Sequence, residues 1–187
     1  MKSAKTQFIA QAAMIAALYV VLTFVANAFG LASGAVQVRI SEALTILPLF
    51  TPAAIPGLFA GCVLANILTG CALWDIIFGS IATLIGAVGT YLLKKHHYLL
   101  APVPPILANT IIVPFVLQYV YEAPGGIPFL MLTVGAGELI SCGILGILLY
   151  HALTPQRNRL FGQGQTEKVN KDPSAEKNNN VTASKVS

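Results

Sequence analysis

Charge is what this sequence has least of. Its 187 residues carry 11 Lys and Arg and 7 Asp and Glu, so only 10% are charged, where a soluble domain carries roughly a quarter. Nine of those eighteen charges fall after Thr154. None lies between Thr6 and Val38, and none between Ala43 and Trp74. The net charge of +4 comes with no basic stripe interleaved with aromatics, which excludes a nucleic-acid surface. Cysteine is scarce as well. Cys62, Cys71 and Cys142 stand in no CxxC or other metal-ligand spacing and read as small packing residues. The chain has no P-loop, no HExxH, and no Ser or Cys with a base at useful spacing, so ATP hydrolysis, a zinc-peptidase motif and nucleophilic catalysis have no carrier. No cofactor is implied.

What is present is apolar: 56% of the residues are hydrophobic and the mean hydropathy is +0.74. Since a membrane span takes about 20 apolar residues, the first span is predicted over Phe8–Phe29. Lys2 and Lys5 before it and the small residues after it could imitate a signal peptide, but the run is longer than the apolar region of one. The second apolar run is too long for one helix and is broken by Pro48, Pro52 and Pro56-Gly57. It is split into spans over Val38–Phe50 and Ile55–Leu68. Three more follow over Trp74–Leu93, Leu99–Tyr119 and Ile127–Leu153. With six spans Lys2, Lys5, Lys94, Lys95, Arg157 and Arg159 all fall on one side, which the positive-inside rule makes cytoplasmic. The expected fold is therefore an all-α integral membrane protein of six transmembrane helices, N- and C-termini cytoplasmic. Residues 1–154 form the substrate-binding domain, and 155–187 a disordered cytoplasmic tail.

The polar residues within this apolar frame are the candidates for function, because charge inside a bilayer usually marks a substrate path. Arg39 and Glu42, three residues apart, share one face at the outer end of the second span. Asn66 ends the third, Trp74 and Asp75 open the fourth, Asn109 lies at mid-depth of the fifth and Glu138 at mid-depth of the sixth. The expectation is that Arg39 and Glu42 form the rim of a binding site and Glu138 its floor. Plainer roles stand beside this: an interfacial ion pair for Arg39 and Glu42, a helix-end charge for Asp75, an interfacial anchor for Trp74, interhelical glue for Asn66 and Asn109. Carboxylates and amides can read a purine-like edge through paired hydrogen bonds while aromatics stack on its face. Small residues recur four apart at Ala12 and Ala16, Ala13 and Ala17, Gly57 and Gly61, and Ala82 and Gly86. Such faces let helices approach closely, either within a bundle or against another membrane protein.

Several short motifs occur in order: Val38-Arg39-Ile40-Ser41-Glu42-Ala43-Leu44-Thr45 with Pro48; Ile55-Pro56-Gly57-Leu58-Phe59-Ala60-Gly61-Cys62 leading to Ala65-Asn66; and Asp75-Ile76-Ile77-Phe78-Gly79-Ser80. Asn109-Thr110-Ile111-Ile112-Val113 and Val134-Gly135-Ala136-Gly137-Glu138 continue the series. Together they resemble the QueT family, the queuosine-precursor substrate-binding (S) components of energy-coupling factor (ECF) transporters, over about Gln11 to Tyr150. The resemblance implies a multi-pass subunit of the cell membrane that captures a deazaguanine-type precursor from outside. It also implies partners: a transmembrane coupling protein, met by the first helix at Ala12 and Ala16, and two cytoplasmic ATPases that supply the energy. The residues alone leave open an S component for another nucleobase-like compound or vitamin, and a gradient-driven carrier working by itself.

Overall fold

A computed structural model describes residues 4–30 and 37–161; residues 31–36 and most of the expected tail, from 162 onward, lie outside the described residues. Among those described there is no strand. Helix α1 spans Ala4–Ala28, α2 Ala54–Leu68, α3 Leu73–Leu92, α4 Val103–Tyr119, α5 Gly126–Glu138 and α6 Gly146–Leu153. Beside three short 3-10 turns at Leu93–Lys95, Tyr98–Leu100 and Thr154–Gln156, two longer irregular helices complete the frame: a 3-10 helix over Ile40–Leu49, and a π-helical stretch over Leu139–Leu145 that joins α5 to α6 without a break. The chain divides after Thr154, and the second unit holds the short helix α7, Arg157–Phe161.

Polarity is distributed inside out. Ile9, Met14, Leu107, Leu132, Ile144 and Leu148 are exposed, while Glu42, Asn66, Asp75, Asn109, Glu138 and a set of Ser and Thr hydroxyls are buried. Water would not tolerate that arrangement over so much surface, but lipid favours it. Four helical stretches are long and apolar enough to cross a membrane: Ala4–Ala28, Leu73–Lys95, Tyr98–Tyr119 and Gly126–Gln156. This is a membrane protein. The 3-10 helix and α2 are shorter. At about 2.0 Å per residue for one and 1.5 Å for the other, they rise about 20 and 22 Å, against a hydrocarbon core of about 30 Å.

The 3-10 helix is the centre of the bundle. Ser41 through Pro48 are all buried, which leaves the helix no outward face, and α1, α2, α3, the π stretch and α6 all pack on it. The expected α-helix over Val38–Phe50 is thus a tighter, thinner coil. Its bonds run over three residues, as from the Glu42 N–H to the Arg39 carbonyl at 2.9 Å. Pro48 lacks an N–H and so suits its last turn. In α4 the prolines find compatible places: Pro102 at the N-cap and Pro104 in the first turn, where the N–H would be unpaired anyway, with only Pro114 in the interior.

The first helix meets α2 through the small residues of both. A Cβ on Gly57 would stand 2.7 Å from the Ala12 carbonyl oxygen, and one on Gly61 3.0 Å from the Ala16 Cα. This alters the expectation for α1. Ala12 and Ala16, anticipated as a face for a partner protein, pack against α2 of the same chain; Ala13 and Ala17 are the exposed pair. At the Lys94 end, His96 and His97 are exposed. Tyr98 stacks on Tyr150 with ring centroids 4.7 Å apart and planes 4° from parallel.

Candidate functional site

The buried acids come together where the two irregular helices meet. Glu42 lies in the first turn of the 3-10 helix and Glu138 is the last residue of α5, immediately before the π stretch. Oxygens of both carboxylates and the Cys142 sulfur lie within 4.8 Å of one another. Glu42 is 0% exposed and Glu138 5%. The two are therefore neighbours, and the expected separation of a Glu42 rim from a Glu138 floor is not found. A fully enclosed 3-10 helix carries Glu42 inward, where an α-helix ending at the surface would have left it at the mouth.

Each acid is held by residues that sequence reasoning passed over. Tyr19 of α1 donates its hydroxyl hydrogen bond to Glu42 Oε1, and Thr83 of α3 stands 3.2 Å from the same oxygen. The Cys142 thiol, one turn on from Glu138, donates to Glu138 Oε2 at 3.1 Å, and Thr45 donates to the Cys142 sulfur at 3.4 Å. Asn109 of α4, 1% exposed, turns its amide toward both carboxylates. Its Nδ2 nonetheless has no hydrogen-bond partner, nor has Glu42 Oε2. A buried donor and a buried acceptor left unmade cost about 1–3 kcal/mol each, so this is where a ligand has most to offer.

Directly beyond this cluster lies a cavity of about 380 Å³, lined by Tyr19, Ser41, Arg39, Asn66, Asp75 and Tyr121 among others. Its size is at the lower end of small-molecule sites, about 300–1,000 Å³. Asp75 sits in the first turn of α3, where a carboxylate is favoured by the helix N-terminus. Tyr121, from the loop after α4, donates to Asp75 Oδ2 at 3.1 Å and accepts from the Ala72 N–H at 3.0 Å. Gly79 leaves room on α3 for both neighbours: a Cβ there would stand 3.3 Å from Asp75 Oδ1 and 3.4 Å from Asn66 Nδ2. Arg39 lies in the combined field of Asp75 and Glu42. Gly137 lets the Gln37 backbone lie directly on α5, which brings the chain into Arg39 beside Glu138.

Of the residues anticipated, Arg39, Asn66 and Asp75 line this cavity, while Glu42, Asn109 and Glu138 gather in the cluster beneath it. Trp74 belongs to neither. It is 55% exposed, stacks on Phe78 at 5.9 Å, and lines a separate apolar groove of about 860 Å³ with Ile81, Ile111, Phe115 and Tyr119. One step along a helix turns a side chain by about 100°, so Trp74 and Asp75 point about a right angle apart, one to the groove and the other to the cavity. Tyr19 and Thr83 carried little signal, since Thr23 stands one turn from Tyr19 in α1 and Ser80 and Thr90 share α3 with Thr83.

The QueT transporter family model matches residues 9–155. The chain belongs to the QueT transporter family. A curated relative, the queuosine precursor transporter QueT of Lactococcus lactis subsp. cremoris (strain MG1363), is 36% identical over 85 residues, which make up 46% of this chain and 50% of the relative. The similarity thus spans about half the length of that QueT protein. No solved structure matches the chain. Membership places the chain in a family of transporters.

Proposed function

We propose that this chain is the substrate-binding subunit of an ATP-driven ECF importer, and that it captures a queuosine precursor, a deazaguanine derivative, from outside the cell. The observation that carries the reading is the buried cluster of Glu42, Glu138 and Asn109 beneath a cavity of matching size, in a member of the QueT family. A deazaguanine edge offers adjacent N–H donors to a carboxylate and a carbonyl acceptor to an amide, the two chemistries that Asp75 and Asn66 present in the cavity lining. Arg39, Asn66 and Asp75 hold the part of the ligand nearer the mouth.

The topology we adopt is six crossings of the cell membrane with both termini cytoplasmic, the 3-10 helix and α2 making one short crossing each. With no nucleotide site in its own sequence, the subunit draws its energy from two ATPases through a transmembrane coupling protein. The face of α1 left for that protein is Ala13 and Ala17, since Ala12 and Ala16 pack on α2.

The decisive experiment is mass spectrometry of small molecules that co-purify with the protein. A deazaguanine in the bound fraction is expected, and a different vitamin or nucleobase there would replace the substrate. Uptake that persists in cells lacking the ATPases would replace the energy source.

A further inference from the structure

The cluster beneath the cavity has more acid than its surroundings can answer. Three buried carboxylates, Glu42, Asp75 and Glu138, face one half-buried base, Arg39, whose charge is divided among them. The groups that do touch Glu42 and Glu138 are neutral: the hydroxyls of Tyr19 and Thr83 and the thiol of Cys142. They occupy Glu42 Oε1 and Glu138 Oε2, and Glu42 Oε2 is left enclosed without a partner. Two carboxylates this close in a low-dielectric interior coexist when a positive charge or a proton sits between them.

We infer that this acid pair seats a positively charged group of the ligand, so that the site selects ring compounds bearing a protonated amine over their neutral counterparts. The inference rests on the transport reading above and names the feature of the substrate that the site distinguishes. Geometry favours an amine over a metal ion. Glu42 Oε1 already accepts from Tyr19, which competes with coordination, and Glu42, Glu138 and Cys142 are the sole metal-capable group among the described residues, with no histidine to complete a tetrahedral set. An ammonium needs only acceptors, brings three donors, and is compact enough to enter beside a side chain. Tyr19 stands between the cavity and the pair: it lines the cavity, and its hydroxyl holds Glu42. A ring in the cavity therefore extends a short arm past Tyr19 to the pair. Tyr19 is a positioning residue: it fixes which Glu42 oxygen is left for the arm.

The test is calorimetric binding to the purified full chain of two 7-deazaguanines that differ in one substituent, a cationic aminomethyl group or a neutral nitrile. The amine is expected to bind about ten-fold more tightly or better, with the preference reduced in Tyr19→Phe and lost in Glu138→Gln. Equal or tighter binding of the nitrile by the unaltered protein overturns the inference and leaves the transport reading standing; binding of neither compound overturns the reading itself. Preference retained in full by Glu138→Gln also overturns the inference, as does a preference that disappears when a chelator is added, which would give the pair to a metal ion. The comparison on the unaltered protein decides the matter even if the variants do not fold.

Discussion

The regular helices of this protein and its two long irregular ones divide the labour between them. Helices α1 to α4 present small residues to one another and large apolar ones to lipid, and they derive their close approach from Gly57, Gly61 and Gly86. The 3-10 helix and the π stretch present each other with Glu42 and Cys142, and Glu138 stands at the joint where the α pitch ends. One coil is wound more tightly than an α-helix and the other more loosely, and both forms make poorer backbone hydrogen bonds. That loss is tolerated where side chains must be aimed. The lesson is that in a bundle with no hydrophobic drive between helices, regular geometry supplies packing and departures from it supply chemistry.

The contrast is most sharply tested at the acids. Glu138→Ala or Glu42→Ala should cost about 2–5 kcal/mol of ligand binding, roughly 30-fold or more, since each removes one partner of a buried polar cluster. Titration of the purified variants reads it directly, and unchanged affinity in both would dissolve the distinction. The reverse case is Gly57→Leu on the regular side. Its side chain would run into the Ala12 carbonyl, so thermal unfolding in detergent should show a loss of about 1–3 kcal/mol while the folded fraction still binds ligand. Tyr121→Phe is a smaller probe, of the loop over the cavity. It removes a hydrogen bond to Asp75 worth about 0.5–1.5 kcal/mol. Burial pushes the Tyr121 hydroxyl from its ordinary 10 up to about 12. The folded protein therefore favours the protonated form, and this contribution is whole below pH 10 and fades as pH rises through 12. Affinity measured from pH 6 to 9 should show no inflection from this group. The smallest effect is expected at Trp74→Ala, less than about two-fold in affinity, because that ring faces the lipid-side groove; a loss matching that of Asp75→Asn would place the tryptophan in the site after all.

Much of the helical frame can be read from the residues alone. The spans expected over Ile55–Leu68 and Trp74–Leu93 differ by about one residue from α2 and α3, because Pro52, Pro56 and the Thr69-Gly70 turn mark their ends unmistakably. Arg39, Asn66, Asp75, Asn109 and Glu138 stand out because any polar group in so apolar a sequence needs an interior reason. Depth and direction were less legible. The distance of Glu42 from the surface depends on five neighbours closing around a 3-10 coil, which no local pattern encodes. Tyr19 becomes a partner of Glu42 only through the α1–α2 approach at Gly61, 42 residues further along the chain. The choice between the two alanine faces of α1 likewise waits on where α2 lies.

The π stretch has a consequence for how the last helix is drawn. An α-helix advances about 100° per residue, and a π turn takes in one residue more for the same closure. A wheel plotted for α5 and continued across Leu139–Leu145 is therefore out of phase by about that angle when it reaches α6. Comparisons among relatives that align this region residue by residue will mix the faces of α6 wherever one of them lacks the extra residue. Removing a single residue between Leu139 and Leu145 would act as a rotary shift, turning Gly146 to Leu153 about the axis while leaving Glu138 in place, and would separate the aim of the site from the packing that follows it.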